Sequence, residues 1–151
     1  MRSSFAKSKT MAASKRKSWA EKLNDGREPL VEISDKGFAG IIAGQRMLIP
    51  TPKLINEYIR QIPKGKAVDS STIRKDLAME HGAEVTCPLT TGIFLRIVAE
   101  AAYEEYQKGK PLTEITPFWR VINEGSPTAK KLTFGIDFLK EQRAKEGLLC
   151  Q

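Results

Sequence analysis

One pattern recurs three times between residues 51 and 109 and constrains the fold more than any other feature of the chain. It consists of a capping residue, apolar positions at helical spacing, and a glycine or proline stop. Thr51-Pro52 supplies an N-cap and a proline suited to the first helical position. Leu54, Ile55, Tyr58, Ile59 and Ile62 form the stripe that follows, and Pro63-Lys64-Gly65 ends it. Asp69 or Ser70 caps a second helix through Ile73, Leu77 and Ala78 to Gly82, a C-cap glycine. Thr90 or Thr91 caps a third, which carries Ile93, Phe94, Ile97, Val98, Ala101, Ala102 and Tyr106 before Gly109. A fourth is expected over residues 135–146, with Ile136, Phe138 and Leu139 inward. Residues 118–122 read as a short strand, and Asn123-Glu124-Gly125-Ser126-Pro127 is dense in turn formers. Upstream, residues 29–33 read as a short strand or extended arm, and residues 38–49 as a strand pair or a loop. The fold expected is mainly α with a small β wing, a winged helix-turn-helix-like domain. Many small helical domains show this order without touching DNA.

Composition excludes several function classes. The 151 residues are 40% hydrophobic and 28% charged, enough for one core. Residues 93–106 are the most apolar stretch, but Arg96, Glu100, Glu104 and Glu105 interrupt it, so no membrane span is expected. Cys87 and Cys150 cannot build a disulfide framework or a zinc cluster, and His81 is the single histidine. A P-loop, a G-x-G-x-x-G and an H-E-x-x-H are all missing. No cofactor or metal is expected.

Charge is partitioned along the chain, whose formal total is +7. Residues 1–22 hold seven cations against Glu21, and residues 46–75 hold seven against Glu57 and Asp69. Residues 76–107 reverse this, with Arg96 against six carboxylates. A basic tail and one basic side suit a polyanion partner; a solubilising or targeting tail is the alternative. Residues 1–18 are expected to be a basic, Ser-rich disordered tail, residues 19–48 an arm with short strands, and residues 49–151 the winged helix-turn-helix domain. Trp19 is expected to pack the arm onto that domain. The tail lacks the apolar core of a secretory signal, and its basic, acid-free start leaves organellar import open beside a cytoplasmic, nucleoid-associated location. Met11 also opens a plausible start.

Three segments, in order, carry a resemblance. Ile62-Pro63-Lys64-Gly65-Lys66-Ala67-Val68 is similar to the I-P-x-G-x-V segment that opens the DNA-binding domain of alkylguanine-DNA alkyltransferases. Thr116-Pro117-Phe118-Trp119-Arg120-Val121-Ile122 resembles that family's active-site strand, I-P-C-H-R-V-I. Residues 135–147, closing on Glu146-Gly147, resemble its final helix. The match covers about two thirds of the chain. Phe118 stands where the family has its alkyl-accepting cysteine, and Trp119 where it has the histidine that helps ionise that thiol. A phenyl ring cannot replace a thiolate nucleophile. Glu146 matches the glutamate that orients the histidine, here without that partner. The tyrosine that helps rotate the nucleotide falls near Ser70, and the family's small-residue recognition helix and intercalating arginine have no clear match; Arg96 is the single arginine on the third helix. Alkyltransferase-like proteins, which carry tryptophan in place of the cysteine, bind alkylated guanine and hand it to excision repair. The resemblance therefore implies non-covalent binding of duplex DNA, plain or alkylated, without methyl transfer, by a monomer with a repair protein as a further partner.

Candidate residues follow. Lys64, Lys66, Arg74 and Lys75 are candidate phosphate contacts, aided by residues 70–72, Ser70 and Thr72 among them, at a helix N-terminus, and Arg120 is a further candidate DNA-binding residue. Thr90, Thr91 and Arg96 sit where a recognition helix meets a groove. Pro117, Phe118, Trp119 and Val121 form a candidate aromatic slot for an extruded base, or else core that fills a vanished active site. Two other functions compete: a protein-interaction module on a repurposed scaffold, and a methyltransferase using Cys87 at a helix start near His81.

Overall fold

The computed structural model describes residues 16–148. The tail expected over residues 1–18 lies outside the described residues but for its last three. Helix α1, Trp19–Leu23, starts at a capping box: Ser18 Oγ accepts from the Glu21 N–H at 3.1 Å, and the Glu21 carboxylate accepts from the Ser18 N–H at 2.8 Å. Strand β1, Leu30–Ile33, pairs antiparallel with β2, Arg46–Ile49, with Val31 opposite Leu48. Strand β3, Val85–Thr86, adds parallel to β2, with Met47 opposite Val85. The boundary expected after residue 48 thus falls inside β2.

The remaining elements are helical: α2 (Pro52–Arg60), α3 (Ser70–Glu80), α4 (Pro88–Gln107), α5 (Pro127–Lys130) and α6 (Asp137–Lys145), with 3-10 turns at Leu112–Glu114 and Phe118–Arg120. The protein is mainly helical with a small three-stranded sheet. Thr51 and Asp69 cap α2 and α3 as their sequences predict. His81 closes α3, its ring Nδ1 3.0 Å from the Leu77 carbonyl oxygen. Among the described residues, no helix is long and apolar enough to cross a membrane.

Helix α4 is the axis of the core. Its Phe94, Leu95, Ile97 and Val98 are buried against Ile55 and Ile59 of α2 and against the turn at Phe118. Burial of each such side chain contributes about 1.5–3 kcal/mol. Helix α1 lies across α4, and Trp19 packs on the core with the Arg96 guanidinium 5.2 Å from its ring, as expected for the arm. A smaller cluster of Ile41, Met47 and Cys87 sits beside the sheet.

Two local expectations are corrected. The third helix starts at Pro88 with Cys87 as N-cap, not at Thr90 or Thr91. Those threonines lie in its first turn, and their hydroxyls donate back to the Cys87 carbonyl at 3.4 and 2.7 Å. The strand expected over residues 118–122 is a 3-10 turn, so no strand follows α4 among the described residues. Its bend is imposed by side chains distant in sequence.

Candidate nucleic-acid interface and adjoining pocket

The segments that carry the resemblance meet in space around one carboxylate. Glu146, the C-cap of α6, has a largely buried side chain. Its Oε1 accepts from the Gly65 N–H at 3.0 Å and from Arg120 Nε at 2.8 Å. Its Oε2 accepts from Trp119 Nε1 at 2.8 Å and from Arg120 Nη2 at 2.9 Å. Arg120 Nη1 donates on to the Ile62 carbonyl at 2.7 Å, and the Arg120 carbonyl accepts from the Val68 N–H at 2.8 Å. Gly65 can serve here because its φ of +84° turns its N–H toward the carboxylate in a conformation that glycine adopts freely. Burial pushes the Glu146 pKa up, but the Arg120 hydrogen bonds, the Gly65 N–H, the Trp119 N–H and the Arg120 charge outweigh it and hold the group at about 2. Buried Arg143 completes the clamp by donating to the Trp119 carbonyl at 2.6 Å.

This geometry revises several expectations. Glu146 is not without a partner, since the Trp119 indole N–H takes the place expected of a histidine. Arg120 is not a free phosphate contact, because its charge is neutralised by Glu146 in a bidentate pair. Phe118 has no exposed surface and packs on Phe134 and Phe138 at ring centroid distances of 5.8 and 6.0 Å. Its ring offers no face to a base, and the core alternative describes it. Pro117 and Trp119 are also buried, and each presents only an edge to a pocket of about 270 Å³ near Glu146. Lys64 lines the same pocket. Lys66 faces a different hollow, shared with Glu57 and Glu80.

The other candidates gather on the opposite side of the 118–120 turn. A groove of about 840 Å³ runs between the N-terminal ends of α3 and α4 and the 121–131 segment. Ser70, Arg74, Arg96 and Val121 line it, so four of the expected residues share one face. Thr91 also borders it but is buried, its hydroxyl held by the Cys87 carbonyl. Thr72 is exposed near the cap, and Thr90 is half-buried; neither borders the groove. Helix α4 contributes only its N-terminal half, away from Glu104 and Glu105. The groove's one carboxylate from α3 is Asp69, whose oxygen is committed to the Thr72 N–H at 2.8 Å and the Ser71 hydroxyl at 2.9 Å. These bonds hold its pKa below the usual range.

Sequence reasoning missed Lys22, Asn123, Thr128 and Lys131 in the groove, and Arg60, Gln142 and Lys145 in the pocket. Lys130-Lys131 after a turn-rich segment was a usable signal for a basic wall. The pocket residues carry no local signal, because they are brought together only by tertiary packing. Cys87 is buried among Ile41, Met47 and Val85, and the His81 ring is turned to its own helix end. No protein-family model matches this chain, and no curated protein or solved structure matches it.

Proposed function

We propose that this protein binds duplex DNA non-covalently through the groove between α3, α4 and the 121–131 segment, in the manner of alkyltransferase-like proteins and without methyl transfer. The observation that carries the proposal is the composition of the groove. Lys22, Arg74, Arg96 and Lys131 line a concave face on which two helix N-termini also open. Cations and helix N-termini are the two features that hold phosphates irrespective of base sequence. In this reading α3 and α4 act as a helix-turn-helix pair, and the Asn123 turn with α5 stands in the place of a wing. The convergence of the three motif segments on Glu146 supports the resemblance independently of the groove. Binding of this kind fits a nucleoid-associated protein.

Fluorescence anisotropy tests the reading on plain duplex, the same duplex with one alkylated guanine, and single-stranded RNA. The expected result is duplex binding that weakens steeply with salt and persists without residues 1–15. A tenfold preference for the lesion duplex, about 1.4 kcal/mol, would add damage sensing. Salt-independent binding, or none, contradicts the reading.

A protein-interaction module is the second reading. Leu89 and Ile93 of α4 line the same groove and are 65% and 53% exposed. Exposed apolar side chains on a groove suit a partner helix better than a phosphate backbone.

A further inference from the structure

The pocket near Glu146 is separated from the proposed DNA groove by the 118–120 turn and has a different chemistry. Its walls are apolar where Leu112, Ile115, Pro117 and the Trp119 edge meet. Its rim holds Arg60 and Lys64. Arg60 donates to the Thr116 hydroxyl at 2.9 Å and to the Glu114 carbonyl at 3.1 Å, both neutral oxygens. Among the described residues, neither Arg60 nor Lys64 is paired with a carboxylate. The one carboxylate that lines the pocket, Glu146, is committed to Arg120, and the pocket's Lys145 is paired with Glu141 at 3.3 Å.

Gln142 is the deciding residue. It is 5% exposed, lines this pocket, and its side-chain amide has no hydrogen-bond partner among the described residues. The residue is buried, but its amide is not fully enclosed, so whatever fills the pocket, water or a ligand, supplies its hydrogen bonds. The amide both donates and accepts, and it lies between the apolar wall and the cationic rim. A volume of about 270 Å³ is small for a ligand pocket.

We propose that this pocket is a binding site for a small organic anion, a carboxylate or phosphate carried on a compact planar or apolar body. The body lies against Pro117 and the Trp119 edge, the oxyanion meets Arg60 and Lys64, and the Gln142 amide supplies the orienting hydrogen bond. Trp119 and Gln142 report occupancy directly, because each carries a side-chain N–H at the pocket.

The test is a titration of the ¹⁵N-labelled full chain, followed by NMR, with benzoate, phenyl phosphate and neutral benzyl alcohol. Either anion is expected to shift the Gln142 amide and Trp119 indole signals saturably, with a Kd below about 1 mM. Benzyl alcohol is expected to leave them in place. Gln142→Leu should weaken the anion at least tenfold, about the value of one hydrogen bond to a charged group. Lys64→Ala, an exposed substitution with no effect on the core, should weaken it about threefold. The proposal is overturned if neither anion gives a saturable shift, if benzyl alcohol matches the anions, or if both variants bind like the wild type.

Discussion

Glu146 ties separate stretches of the chain to one largely buried carboxylate. Four hydrogen bonds, from Gly65, Trp119 and Arg120, converge on it and tie residues 65, 119–120 and 146 together. The ordinary pKa of the group is 4.5, and in the folded protein it is about 2. A depressed pKa contributes stability that is fully present above pH 4.5 and is lost as pH falls toward 2. The contribution is about 3 kcal/mol, and urea denaturation at pH 6, 4 and 2.5 should show most of it disappearing over that interval. Glu146→Gln leaves the Arg120 guanidinium buried without its counter-charge, and a loss of about 3–5 kcal/mol is expected at pH 7. A loss under 1 kcal/mol would contradict the account of this cluster. Phe118→Ala opens a cavity among Phe134, Phe138 and Trp119 and should cost about 3–5 kcal/mol in the same assay. Since Phe118 faces no groove, the folded fraction of that variant should keep its DNA affinity.

At the scale of elements, helices α2, α3 and α6 were legible because their signals are local. Thr51 and Asp69 accept from N–H groups three residues on, and the stripes of Ile55, Ile59, Ile73 and Leu77 bury as spaced. The 118–122 segment was not legible. Its Phe-Trp-Arg-Val-Ile composition favours a strand, but Arg143, Glu146 and the Val68 N–H bend it into a turn from outside. The start of α4 was misplaced because the threonines that looked like caps bond backward to Cys87, while Pro88 already occupies the first helical turn. Strand β3 is only two residues long, too short to announce itself. Of the expected DNA-binding residues, Arg74 and Arg96 reach the groove, whereas the role of Arg120 depended on a partner 26 residues away. Asp69 separates stability from binding. Asp69→Ala removes the α3 cap and should cost about 1 kcal/mol in thermal unfolding. Asp69→Ser keeps a capping oxygen while removing the groove's carboxylate. It should hold stability within about 0.5 kcal/mol and tighten duplex binding; weaker binding by this variant would mean that DNA does not approach the start of α3.

For the whole molecule, the charge partition along the chain becomes a partition in space. Of the six acids of residues 76–107, Glu104 and Glu105 lie on the far half of α4, Glu100 is buried, Asp76 accepts from the Tyr58 hydroxyl, Glu84 accepts from the Arg46 N–H, and Glu80 lines the hollow that holds Lys66. Glu100 accepts from the Thr133 N–H and hydroxyl at 2.7 and 2.6 Å and lies 3.6 Å from Arg96, so it fixes the base of one groove wall without projecting charge outward. On the groove itself Lys22, Arg74 and Lys131 stand against the single carboxylate of Asp69, with Arg96 paired to Glu100. Duplex binding should therefore depend on Arg74 and Lys131 and be indifferent to Lys64 across the 118–120 turn. The most direct measurement compares anisotropy titrations of a duplex at several salt concentrations for the wild type, the Arg74→Glu/Lys131→Glu double variant and Lys64→Glu. The account expects the groove variant to lose at least tenfold in affinity and about two units of salt slope, with Lys64→Glu within threefold of the wild type. A groove variant that binds like the wild type, or a larger loss from Lys64→Glu, would contradict it.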